Sequence, residues 1–404
     1  MLLNKHYWLL IILGLGTSVI TKADEPQAGF WQRESLGGNW LGLQPSAEKY
    51  GVSYELIYTA DIFENLTGGL KKGGAYRGDF SFYLHFDPAG AGLWEDGGFF
   101  VHLQHEHGHG ISGRYVGDYQ MLSNIDADGF QQVSEFWYIH DFAEDCLWLK
   151  VGKQEANADF AFVEYGLEFI HSSPGLIPTI PLPTFPDPDW GLVIGLSPAA
   201  WFSLNTGVYQ GEPNGGRSIS HTLDQLQGPM VLMEPAFHYA LAGLQGHFRV
   251  GGWWNGNRFE RFDRGHPEPG SAGESYGGYL SWDQEIWKEN SAAEGDGQGI
   301  GLFAQYGYAP EDRWEANHYL GGGIQWTGLL PQRDNDCLGL GIFHVIFSDQ
   351  TERVENAETA IEIFYSYKAS QWLCLKPDVQ YIRNPGGVGN KDAVAIGLRC
   401  EIIF

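Results

Sequence analysis

The chain has 404 residues, with 24 Lys plus Arg against 50 Asp plus Glu, a formal net charge of −26, 15 % aromatic residues and 56 Gly. The aromatic load excludes a disordered chain, the lack of a strict Gly period excludes collagen, and the scattered cations argue against a phosphate-tracking nucleic-acid surface. A mean hydropathy of −0.25 argues against a bundle of membrane helices and leaves open a barrel, whose strands alternate and so never score as hydrophobic overall.

Residues 1–23 read as a secretory signal, with Lys5 and His6 ahead of the apolar run WLLIILGLG and with Thr21 and Ala23 placed for cleavage before Asp24. Residues 24–51, containing GNWLGLQPSAEKYG, predict a short helix at the periplasmic side or entering the lumen. From residue 52 a period of two takes over. In the stretch 75–87, Tyr76, Phe80, Phe82, Leu84 and Phe86 alternate with Arg77, Asp79, Ser81, Tyr83 and His85, which is the pattern of a strand with two different faces. Next comes QHEHGHG, where His105, His107 and His109 share a strand face near His102; a metal bridging two of them and wet histidines at a strand end are the competing readings.

Glu135 and Trp137 then alternate with Phe136 and Tyr138, and Trp148, Lys150 and Gln154 alternate with Leu149 and Val151. A hairpin across 143–145 brings Trp137 close to Lys150, with Glu135 one step further along, so that an aromatic plane, a cation and an anion share one wall. Such a wall offers charged partners and a ring to a small polar solute. The connection 156–189 is long and rich in Pro and apolar residues (Ile177, Ile180, Leu182, Phe185), which need burial. Folding into the barrel to narrow it satisfies this; a cap over the outer rim or against a neighbouring subunit is the alternative.

Alternation continues through 276–286 and 359–368 to the final run DAVAIGLRCEIIF, where Val394, Ile396, Leu398, Cys400, Ile402 and Phe404 oppose Arg399 and Glu401. A strand ending on a terminal Phe looks like the closing strand of an outer-membrane barrel, read by the barrel assembly machinery. Of the four cysteines, Cys146, Cys337, Cys374 and Cys400, none has zinc or redox spacing, and Cys374 and Cys400 fall on opposite faces of neighbouring strands, so no disulfide is expected there.

These runs predict sixteen strands, near 52–65, 75–87, 97–107, 130–142, 146–155, 190–197, 201–211, 231–241, 245–256, 274–287, 298–308, 316–328, 336–347, 357–369, 372–384 and 392–404. With a periplasmic N-terminus, the long connections 108–129, 156–189, 212–230 and 257–273 all lie outside and the tight ones 143–145, 198–200, 242–244 and 370–371 all lie inside. The expected fold is therefore all-β, a closed antiparallel transmembrane barrel of the bacterial outer membrane spanning 52–404, with short periplasmic turns and longer extracellular loops.

Specific motifs run the length of the chain: GGNWLGLQPSAEKYGV at 37–52, YELIYTADIFENLTGGLKKGGAYRGD at 54–79, GHGISGRYVGD at 108–118, SNIDA at 123–127, SEFWYIHDF at 134–142 and LWLKVGKQEANADFAF at 147–162. VGGWWNGNRF at 250–259, GIGLFAQYGYAPEDR at 299–313, DCLGLGIFHVIFSD at 336–349 and LKPDVQYIRNPGG at 375–387 follow. In their order and coverage the chain resembles the carbohydrate-selective porins of the OprB type. The resemblance implies passive diffusion of mono- or small oligosaccharides across the outer membrane, without cofactor or energy source. It also carries Asp61, Arg77, Asp79 and Arg114 onto positions that line the pore or anchor loops; solvation of a wet lumen is the plainer role for any one of them. The histidines of QHEHGHG and the heavy acidity depart from the family pattern and bear on the substrate more than the fold. Another small polar solute, or a non-transport barrel serving as adhesin or structural element, are the alternatives; no GxSxG, P-loop or GxGxxG is present, so an enzyme is not expected. Monomer and homo-oligomer both stay open.

Overall fold

The computed structural model describes residues 29–38, 40, 43–143, 146–211, 228–263, 266–267, 273–290 and 297–404; the signal reading at 1–23 lies outside them. Strands are β1 (Val52–Gly69), β2 (Gly73–Phe86), β3 (Gly97–Gly108), β4 (Gln131–Asp141), β5 (Leu147–Gln154), β6 (Asp189–Ala199), β7 (Phe202–Gln210), β8 (Pro229–Leu241) and β9 (Leu244–Phe259). There follow β10 (Phe262–Asp263), β11 (His266–Pro267), β12 (Gly273–Lys288), β13 (Gly299–Tyr308), β14 (Ala316–Thr327), β15 (Cys337–Phe347), β16 (Ala357–Lys368), β17 (Leu373–Arg383) and β18 (Lys391–Ile403). All but β10 and β11 join one closed barrel in which sequence neighbours pair antiparallel and β1 closes on β18. Closure leaves no unpaired edge, which matters in hydrocarbon where no water can satisfy one. The β10–β11 pair is a two-rung hairpin within the long connection after β9, too short for any period in the sequence to announce it.

The alternation decides the faces. On β16 Ile361 and Ile363 are exposed on the lipid side while Ala360, Glu362 and Phe364 are buried inside. The same outward belt continues through Ile62, Phe136, Val151, Leu280, Leu340, Val379 and Leu398. The Gly excess has a packing cause: inward rings lie flat over the glycine directly opposite on the next strand. Trp148 covers Gly195 and Tyr279 covers Gly251, and a Cβ at either glycine would fall within about 2 Å of the ring. At the tight turn after β8, Leu241 pairs with Leu244, so Ala242 and Gly243 carry positive φ of 52° and 86° as a two-residue hairpin turn requires.

Ahead of β1, a single 3₁₀ turn (Phe30–Gln32) and a short helix (Leu43–Glu48) sit at the end of the barrel where β18 finishes. Leu36 N–H donates to the Ile403 carbonyl at 2.8 Å, Trp40 Nε1 to the Phe404 carbonyl at 3.2 Å, and Trp31 stacks on Trp372 at 5.4 Å. The described residues of this segment lie at the end of the barrel where β18 finishes.

The histidines separate by strand face. His102 is buried on the lumen side of β3 together with Phe100, Gln104 and Glu106, whereas His105 and His107 point outward. There they stack on each other at 5.4 Å, and His107 on Tyr58 at 5.9 Å. Cys374 is buried inward, Cys400 half-buried on the outer face.

Candidate functional site: the lumen and its inward segment

The connection between β5 and β6 runs inside the barrel and crosses to the opposite wall. Phe160, Phe169, Ile170, Ile177 and Ile180 are each at most 4 % exposed. Phe169 meets Phe303, Phe343 and Phe364 edge-on at 5.4, 5.8 and 4.9 Å. A segment without regular structure must place its amides somewhere. The wall supplies carboxylates: Glu234 accepts from Ala161 N–H at 2.7 Å, Asp283 from Tyr165 N–H at 3.3 Å, and Glu362 from Ile170 and His171 N–H at 2.7 and 3.1 Å. Gln305 Nε2 donates to the carbonyls of Ala161 and Pro174 at 3.2 and 3.0 Å. Glu168 bonds Lys376 at 2.8 Å and Lys368 at 3.4 Å. Burial alone would raise the Glu168 carboxyl, but the two ammonium groups outweigh it and hold it down to about 2. His171, stacked on Phe343 at 4.6 Å, is pushed down to about 3 by burial and stays neutral.

The residues singled out from the sequence fall into three clusters and one outlier. Asp61 takes a two-pronged bond from Arg399 (2.7 and 2.8 Å) directly across the β1–β18 seam and accepts from Ser123 Oγ at 2.6 Å, tying the 108–129 connection to the wall. Arg77 lies 3.7 Å from Glu106 and 3.9 Å from Asp126. On the β4–β5 hairpin, Lys150 sits 5.3 Å over the Trp137 ring, and Trp137 Nε1 donates to Glu135 at 3.2 Å. Lys150 also pairs with Asp159 of the inward segment, and Trp148 is buried beside it on the same strand face. Gln154 is fully buried with neither amide atom partnered among the described residues. Arg114 stands apart, exposed on the π-turn Ser112–Val116, where no ion pair among the described residues reaches it.

Asp79 belongs to the third cluster. It accepts from Ser81 Oγ at 2.6 Å and lines a cavity of about 200 Å³ toward the end of the barrel where β18 finishes, together with Tyr83, Glu168, Lys368, Lys376 and Glu401. Wall strands β1, β2 and β16–β18 form one side of it and Leu167–Glu168 of the inward segment the other. The sequence reading missed Lys376, Arg399, Glu234, Asp283 and Glu362. Their signal was present: each is a charge at inward parity, as Glu362 is between Ile361 and Ile363.

Residues 71–404 match the family described as "Carbohydrate-selective porin, OprB family". Porin B of Pseudomonas aeruginosa is 21 % identical over 97 % of this chain and 95 % of its own length. The fold superposes on OprB of Pseudomonas putida, solved at high pH, with a TM-score of 0.83 at 19 % identity, covering 93 % of this chain and 100 % of that one. The low-pH structure of the same protein gives 0.62 at 16 % identity over 92 % and 99 %.

Proposed function

The chain belongs to the OprB family of carbohydrate-selective porins, passive outer-membrane channels, and from that premise we propose that the sugar's contact point is the cavity between Leu167–Glu168 and the β1, β2 and β16–β18 wall. The observation that carries this is the lining: Asp79, Glu168, Lys368 and Lys376 offer charge-assisted hydrogen bonds to hydroxyls, and Tyr83 offers a ring to the C–H face. Binding at such a point must favour entry without preventing exit, and millimolar affinity, about 4 kcal/mol, suffices. The hairpin cluster of Glu135, Trp137, Trp148, Lys150 and Gln154 and the seam cluster of Asp61 and Arg77 position the segments that narrow the path. The outward apolar belt fits outer-membrane lipid.

Sugar flux in liposomes and planar bilayers tests the assignment. Asp79→Asn and Tyr83→Ala should raise the half-saturating sugar concentration several-fold while the barrel keeps its heat-modifiable migration on a denaturing gel. Wild-type saturation in both variants rules out this contact point.

A further inference from the structure

At the root of the inward segment converge three potential metal ligands, none of which lines the proposed sugar cavity. His102 on β3 and Glu135 on β4 are direct register partners, and Glu155 follows the end of β5. One donor atom of each lies within 4.8 Å of the others. Each group is also held in orientation by a second residue. His102 Nε2 contacts Ser81 Oγ at 2.9 Å, and that hydroxyl gives its own proton to Asp79. Nε2 therefore carries the imidazole proton in the neutral ring, and Nδ1 presents a lone pair. Glu135 Oε2 is occupied by Trp137 Nε1 and by the Glu155 N–H, at 3.2 and 3.1 Å, which leaves Oε1 facing His102 Nδ1 at 3.8 Å. Thr184 Oγ1 holds one Glu155 oxygen at 3.1 Å. His102 is only 4 % exposed, and its Nδ1 has no hydrogen-bond partner among the described residues.

A buried lone pair facing two carboxylates is repulsive unless a cation stands between them. We propose that His102 Nδ1, Glu135 and Glu155 bind one divalent transition-metal ion of the zinc class, which fastens the start of the inward segment to the β3–β4 wall. Metal–nitrogen and metal–oxygen bonds of about 2.0–2.2 Å span the 3.8 Å gap, and a small rotation of the half-buried Glu155 side chain brings in the third ligand. The Asp79–Ser81–His102 chain is the kind of supporting shell that fixes the tautomer of a metal-binding histidine.

The test is Zn²⁺ titration of chelator-stripped, detergent-solubilised barrel by calorimetry at pH 7.5, with His102→Gln and Glu155→Gln as variants. The expected result is one Zn²⁺ per chain, weakened tenfold or more in each variant. Glu155→Gln lies outside the strands, and heat-modifiable migration checks that the barrel is intact. Anomalous scattering from Zn²⁺-soaked wild-type crystals should place the ion against all three residues, independently of any variant. The proposal is overturned by no stoichiometric binding. It is equally overturned if binding survives both substitutions and is lost in His247→Gln, which breaks the separate His238–His247 pair whose Nδ1 atoms lie 2.8 Å apart.

Discussion

Lys150 shows how one side chain joins two jobs. Its stem and charge lie over Trp137, and its ammonium pairs with Asp159 on the inward segment. Removing one partner of a buried pair costs about 3–5 kcal/mol because the other charge is left without compensation. Lys150→Ala should therefore release the root of the segment, raising ion conductance and lowering saturable sugar flux, with the barrel still folded. The double variant Lys150→Met with Asp159→Leu restores an apolar contact in place of the pair. If conductance returns to the wild-type level and sugar saturation returns with it, Lys150 is an anchor; if saturation stays lost, Lys150 itself touches the sugar. At the seam the same reasoning applies to Arg399, whose loss strands Asp61 across the closing strands. Arg399→Ala should lower the temperature at which the folded band on a denaturing gel gives way to the unfolded one, and an unchanged transition would count against a structural role for the pair.

The inward segment crosses the lumen, and its attachment mixes apolar and polar contacts. Phe169→Ala removes a ring from the aromatic pocket of the far wall, a loss of about 3–5 kcal/mol for a buried Phe, and should open the path to ions. Glu168 on the segment and Glu155 at its root respond to pH in opposite directions. Glu168 is depressed to about 2, so its contribution is present above its free value of about 4.3 and is lost as pH falls through about 2. Glu155 is raised to about 7 by burial and by the neighbouring Glu135 carboxylate. Its contribution is present below the free value and disappears as pH rises through about 7. With metal chelated, single-channel current should thus become noisier between pH 6 and pH 8, and Glu155→Gln should flatten that change. Noise independent of pH across that range, in the wild type, would refute the assignment.

At the scale of the whole barrel, orientation follows from the connections. The exposed positions Gly113 and Val354 lie on connections at the end opposite Ala200 and the N-terminal segment. In a chain with Cys146 replaced by Ser, cysteines at Gly113 and Val354 should react with impermeant reagents on whole cells and a cysteine at Ala200 should not; the reverse pattern inverts the topology. The closing strand carries a further expectation. Phe404 N–H donates to the Leu56 carbonyl at 2.8 Å and its carbonyl accepts from Trp40, so the last residue is built into the seam. Phe404→Ser should lower the amount of folded barrel in the outer membrane, measured as heat-modifiable protein in membrane fractions.

The number of strands and their two faces were legible from residue order because a barrel strand meets lipid on one side and the lumen on the other. That contrast writes a period of two into every span, as in Ala360 to Phe364. Apolar residues in 156–189 likewise announced a need for burial. Which inward charges meet was not legible. Asp61 and Arg399 are 338 residues apart, and Glu362 and the Ile170 amide 192; both pairs exist only because the sheet closes with a particular register and the segment crosses the lumen to a particular height. Alternation specifies a face but carries no information about stagger between strands or about the path of irregular backbone. Those were set by the hydrogen-bond ladder and by packing of Phe169 and its neighbours, and they gave Asp61 and Lys150 the partners Arg399 and Asp159.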